Sequence, residues 1–255
     1  TAVGSEALDA NTTGNYNTAI GCRALSASTG SSGGCAVGED ALMTMTSGTQ
    51  NIAMGQSALR LLTTGNYNIA IGANTLAAAG TFSSNTAIGQ AALNANTANN
   101  NTAVGYNTLL DNTTGTENVS MGAYSASNIT TGSYNTVVGY SALSTITTAS
   151  NLTAFGYRAL GANTTGADNT AVGYNSLRLN TTGNYNTAVG NSASYSNTTA
   201  QKSVAIGYYA LLNATTGGNN TAVGYKALDA VTDGHDNAAV GRDSLGAVTT
   251  GEKNT

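Results

Sequence analysis

With 255 residues, a formal charge of −4 and only eight Lys and Arg, the chain has no basic stripe to neutralise a row of phosphates, which argues against nucleic acid as a partner. No apolar run approaches the roughly 18 residues of a membrane span, and no segment reads as a signal peptide. Charged residues make up 8% of a composition dominated by Gly, Ala, Thr, Asn and Ser, but the bias is not that of a disordered segment, because it keeps a strict phase.

From the first residues onward one glycine recurs: Gly4, Gly21, Gly38, Gly55, Gly72, Gly89, Gly105, Gly122, Gly139, Gly156, Gly173, Gly190, Gly207, Gly224 and Gly241. Successive glycines are 17 residues apart, except that the step from Gly89 to Gly105 is one residue short. Asn169–Leu177, NTAVGYNSL, is the representative form. The residue before the glycine is always apolar, from Val3 and Ile20 to Val223 and Val240. Ala precedes it in all repeats but those of Ser120 and Val137, and four residues after the glycine stands Leu, replaced only by Ala126 and Ser194. A fixed period of this kind marks a repeat architecture in which each unit buries its apolar face on its neighbours. The expectation is one repeat domain, 1–255, without linkers. Because the chain starts and stops in mid-motif, it reads as a piece of a longer fibre without caps.

The repeat has no room for a helical stripe, so short strands remain. Its second half, N-T-T-G-N-Y-N at Asn11–Asn17 and Asn180–Asn186, is turn chemistry. The predicted unit is therefore strand, corner, short strand and wide turn. Seventeen residues at about 3.3 Å each can circle a narrow coil once and return one strand spacing higher, giving a rod of about 70 Å. The fold class is all-β: a parallel β-solenoid of fifteen coils, with like residues stacked in columns. One column is Asn, from Asn17 and Asn51 to Asn237 and Asn254, whose amides can bond along the stack. Like charges would face each other at every lap, which accounts for their scarcity.

Departures from the repeat fall in the turn, at Ser28–Gly34, at Ala77–Ser84, and at Asn99–Asn101 of the short unit. Cys22 and Cys35 lie about 13 Å apart in the stacked register, too far for a bridge.

Ala-Val-Gly makes both faces of the strand apolar or small, the pattern of a strand covered on two sides. With Val and Leu turned inward the core is thin, and the Ala and Gly on the other face would admit a partner's backbone. Association of several copies follows, with three the expected number. At this point the residues resemble a known family: N-[ST]-[AV]-[AV]-[IV]-G, as in Lys202–Gly207 (KSVAIG) and Asn169–Gly173 (NTAVG), is similar to the head repeat of trimeric autotransporter adhesins. The longer N-T-A-V-G-Y-x-A-L unit resembles repeats of long phage tail-fibre proteins. The resemblance implies a left-handed parallel β-roll in a trimeric rod; this chain differs by the T-T-G-N-Y turn in each unit.

No titratable cluster suggests catalysis, so no enzyme, cofactor or metal is expected. The single histidine, His235, lies between Asp233 and Asp236 in a polar turn; Glu39 with Asp40, and Asp229 with Asp233, read as solvated surface. Tyr106, Tyr140, Tyr157, Tyr174, Tyr208 and Tyr225 follow the motif glycine, and Tyr16, Tyr67, Tyr134 and Tyr185 lie in the wide turn. They read as covering corners; the first six are also candidate glycan contacts, since tyrosine joins an apolar face to a polar tip. N-x-[ST] triplets at Asn11, Asn112, Asn128, Asn163, Asn180, Asn197 and Asn213 could carry glycans in a suitable secretory context.

The functional expectation is the structural shaft of an extracellular fibre, on a virion as a tail fibre or on a bacterial surface as an adhesin, projecting a receptor-binding tip. Its partners would be itself, as a homotrimer or filament, and cell-surface glycans. Two alternatives stand beside it. An ice-binding solenoid is suggested by a column of Thr at the strand start (Thr1, Thr18, Thr86, Thr102, Thr136, Thr153, Thr170, Thr187 and Thr221), and a self-assembling filament by open coil edges.

Overall fold

The computed structural model describes residues 1–255 and is an all-β parallel solenoid in which each repeat is one lap of backbone. Two compact units make it up, Thr1–Thr131 and Gly132–Thr255. The first holds β1–β8: Ala2–Val3, Thr18–Ile20, Cys35–Val37, Ile52–Met54, Ile69–Ile71, Thr86–Ile88, Thr102–Val104 and Val119–Met121. The second holds β9–β15: Thr136–Val138, Thr153–Phe155, Thr170–Val172, Thr187–Val189, Val204–Ile206, Thr221–Val223 and Ala238–Val240. Within each unit neighbours in sequence pair in parallel with like residues opposed, as Thr153, Ala154 and Phe155 oppose Thr170, Ala171 and Val172. The short repeat keeps this register, Thr86 opposing Thr102, so its missing residue comes out of the turn.

One strand of two or three residues per lap forms, not the two strands expected; the second predicted strand is absent. The reason is local. Two and four residues after the glycine the backbone is left-handed, at Asn175 (φ 54°) and Leu177 (φ 47°) for instance, and this alternation cannot extend. Leu in that region costs roughly 1–2 kcal/mol. Hydrogen bonds between laps offset it: Asn175 N–H donates to Tyr157 O of the preceding lap (2.9 Å) and Leu177 N–H to Ala193 O of the following one (3.0 Å).

The strand also faces the other way from expectation. Ala is the inward residue, fully buried at Ala19, Ala36, Ala171 and Ala188, while the apolar residue before the glycine points out, Val172 being 37% and Met121 44% exposed. Two small-residue columns and a close-approaching glycine leave the interior narrow, so it accepts Ala there and takes its bulk from the Leu column, buried from Leu25 to Leu228. The thin core is as expected; its walls are not.

The motif glycine is required twice over. Its φ lies between 120° and 141°, and a Cβ on Gly173 would sit 2.7 Å from the carbonyl carbon of Gly190.

The Asn column ending the wide turn lies inside. Asn169 Oδ1 accepts from Asn186 N–H (2.8 Å), and its Nδ2 donates to Gly183 O (2.7 Å), so one side chain ties two points of the next lap. Where the next residue is not Asn the acceptor still works: Gly34 N–H donates to Asn17 Oδ1 (2.9 Å) and Leu152 N–H to Asn135 Oδ1 (3.0 Å). Amide-to-amide bonds occur as well, as from Asn68 Nδ2 to Asn51 Oδ1 (3.0 Å). The turn threonines add a further ladder: Thr164 donates through both N–H and Oγ1 to Thr181 O (2.9 Å each).

Candidate functional site

Outward from β1–β15 the structure presents two adjacent columns, the Thr-rich residue that opens each strand and the apolar residue that closes it. Ile20, Met54, Ile71, Ile88 and Met121 stand exposed on the first unit, and Phe155, Val172, Ile206 and Val240 on the second. Beside them the Thr column is half-buried, so the surface alternates hydroxyl-bearing and aliphatic side chains.

Past the glycine lies the tyrosine wall. All six predicted tyrosines of this column are at the surface, 37 to 51% exposed. Tyr140, Tyr157 and Tyr174 form a stack with centroids 5.7 and 5.2 Å apart and rings within 9° of parallel; Tyr208 and Tyr225 form another at 5.4 Å. Tyr106 meets Tyr124 edge to face at 5.2 Å. Cations lie over these rings, Arg158 on Tyr157 and Arg242 on Tyr225, both at 5.2 Å. Between the two stacks a cleft of about 420 Å³ opens among Tyr174, Asn175, Asn191, Ser192, Tyr208 and Tyr209. Tyr208 donates toward Tyr209, which raises the Tyr208 pKa above the usual phenol value. Sequence reasoning found the tyrosines and missed the cleft, whose signal is Asn191 standing where its neighbours have Tyr. The wide-turn tyrosines, Tyr16, Tyr67, Tyr134 and Tyr185, are more exposed and make no ring pairs.

The seven predicted glycan acceptors divide. Asn112, Asn163, Asn180 and Asn197 are buried and bond within the core, Asn163 Nδ2 reaching Gly166 O at 2.8 Å, so the folded chain cannot present them to a transferase. Asn11, Asn128 and Asn213 are exposed. Position separates most of them: the buried set takes the inward-facing turn position that Ile129 and Val231 fill elsewhere, and Asn128 and Asn213 stand one residue earlier, whereas Asn11 holds the inward position but lies exposed in the first lap.

His235 bridges two laps. Its Nδ1 meets Asp236 and its Nε2 meets Glu252, both at 2.9 Å, and these carboxylates raise the imidazole pKa, the Asp236 hydrogen bond contributing most. Reciprocally, the His235 hydrogen bond lowers the Asp236 pKa. Asp40, expected to be free in solvent, is instead largely covered and pairs with Arg23 at 2.6 Å and Arg60 at 3.9 Å, opposite charges on three successive laps. Asp233 accepts from Thr216 at 2.8 Å. Cys22 and Cys35 are both free thiols. No three His, Cys, Asp or Glu side chains come together as a ligand set, and no helix is long and apolar enough to cross a membrane.

Comparison with family models, curated proteins and solved structures returned no match.

Proposed function

We propose that the chain is a section of the shaft of an extracellular fibre, a phage tail fibre or bacterial surface adhesin, and that three copies associate through the outward strand face. The observation that carries this reading is the column of exposed aliphatic side chains, Ile71, Met121, Val172 and Ile206 among them, repeated at each lap. Contiguous exposed apolar surface on this scale favours a partner surface, and a column with the period of the solenoid is self-complementary along its length. The resemblance to adhesin-head and tail-fibre repeats points to three copies. Each added lap brings the same strand, Asn and Thr ladders, so length is gained without new contacts. That suits a part whose work is to hold a tip at a distance.

Light scattering on the isolated chain tests the reading. The expected mass is three times 25.3 kDa, and replacing Val172 and Val189 by Lys should yield monomers that keep their β signature. A monomer in the unsubstituted protein would contradict it.

A further inference from the structure

The chain has five arginines, and three of them meet a carboxylate: Arg23 and Arg60 on Asp40, and Arg242 on Asp243. Arg158 and Arg178 form no ion pair, and these two line one cleft of about 350 Å³ in the second unit. No carboxylate lines it; hydroxyls do, from Ser141, Ser144 and Thr145. Thr145 Oγ1 is already engaged, 2.8 Å from Asn163 O and 3.0 Å from Gly161 O, whereas the Ser141 and Ser144 hydroxyls are left to face the cleft.

The repeat itself shows that side chains at the two arginine positions come within reach of each other. Arg158 is the second residue after its motif glycine, and Arg178 the fifth after the next one. At the same two positions in the first unit Asp40 and Arg60 form an ion pair at 3.9 Å, and Asn94 Nδ2 donates to Asn74 O at 2.8 Å. Here both partners are cations. Like charges in adjoining positions repel, and an anion held between them relieves the repulsion. Gly161 makes room for this: the laps on either side carry Ser144 and Arg178 at its position, and a Cβ on it would stand 3.3 Å from Arg178 Cδ and Nε. Arg158 is steadied from its other side by the Tyr157 ring, 5.2 Å away.

We infer that this cleft binds a phosphate group, free or as the monoester of a sugar, with the two guanidiniums holding its oxygens and Ser141 and Ser144 donating to those that remain. Charge selects the class. A phosphate monoester carries about −1.5 to −2 at pH 7 and so answers both arginines, whereas a carboxylate balances only one of them. The volume falls in the range of small-ligand sites, roughly 300–1,000 Å³, which leaves space beside the phosphate for a hydroxylated body. One chain supplies every residue, so the inference goes beyond the fibre reading and does not depend on it.

Proton–nitrogen NMR of the arginine Nε–H groups, on the full chain at low ionic strength, tests the site with inorganic phosphate, glucose 6-phosphate, glucose and glucuronate. Arg158→Asp installs the Asp and Arg pairing of Asp40 and Arg60, at a position where Asp40 already adopts the same left-handed backbone, and so keeps the fold. Arg242→Gln removes an arginine outside the cleft. Both phosphate probes should shift the Arg158 and Arg178 signals together, with a Kd of about 1 mM, and glucose should shift neither. Equal affinity for the two probes supports recognition of the phosphate group alone; tighter glucose 6-phosphate supports a sugar monoester. Arg158→Asp should weaken binding about tenfold or more, and Arg242→Gln should leave it unchanged. No shift with either phosphate probe would overturn the site, as would equal binding by the protein and Arg158→Asp. Glucuronate bound as tightly as the phosphates would overturn the ligand class.

Discussion

Two positions of the repeat bring a glycine against the adjoining lap, and they treat substitution differently. At the motif position the residue is Gly in every repeat; at the wide-turn position Gly14, Gly48 and Gly183 give way elsewhere to Ser31, Phe82, Ala98, Ala149 and Ala200. Contact is equally close at both, since a Cβ on Gly183 would collide with Ala200 O just as one on Gly173 would with Gly190. Backbone conformation separates them: Gly173 has φ 135°, a region closed to L side chains, whereas Gly183 and the other turn glycines named here lie outside it. Crowding can be relieved by a small shift of the turn, as the buried Ser31, Phe82 and Ala200 at this position show. A forbidden φ held by a strand ladder on both sides cannot.

The largest expected effect comes from putting Ala at both places. Gly173→Ala should cost at least ~3 kcal/mol by chemical denaturation and Gly183→Ala about 1–2 kcal/mol. Gly241→Ala, where nothing lies within 4 Å of the added carbon, should fall between them through its φ of 120° alone. Equal costs at Gly173 and Gly183 would break the comparison. Next in size is the side-chain core: Leu177→Ala should lose about 2–4 kcal/mol, against no more than ~0.5 kcal/mol for Tyr185→Ala in the exposed turn of the same lap. Asn169→Ala should cost about 1–3 kcal/mol, because it orphans the buried Asn186 N–H and leaves Gly183 O with Asn180 Nδ2 as its one side-chain donor; thermal melts placing it with surface substitutions would deny the Asn ladder its part.

The smallest effect is electrostatic. With its pKa raised by Asp236 and Glu252, His235 contributes stability in full below its unfolded pKa of about 6.5 and loses it as pH rises through the folded value. Asp236, lowered, contributes above its unfolded pKa and loses it as pH falls through the folded value. Between the two folded values both groups are charged. Proton NMR of the imidazole should therefore titrate above 6.5, and a midpoint at or below it would exclude the two-carboxylate bridge.

Much of this was legible in the sequence. The glycine period located all fifteen strands, and the fixed Leu located the buried column. Strand orientation was not legible, because Ala and Val are both apolar and a triplet of small or aliphatic residues carries no inside-outside signal; only the width of the interior decides that Ala171 faces in and Val172 out. Nor was the left-handed Leu177, since propensity argues against Leu there and only hydrogen bonds to the adjoining laps hold it. The seven acceptor triplets share a motif but not a depth, as buried Asn112 and exposed Asn128 show, and depth belongs to the lap.

The account stands on one repeat making one lap. Spin labels at Tyr134 and Lys253, equivalent turn positions seven repeats apart in the second unit, with Cys22 and Cys35 changed to Ser, measure this directly. Seven laps of about 4.8 Å predict a single narrow distance of about 33 Å. A broad distribution, or a peak at a distance that is not seven interstrand spacings, would contradict it.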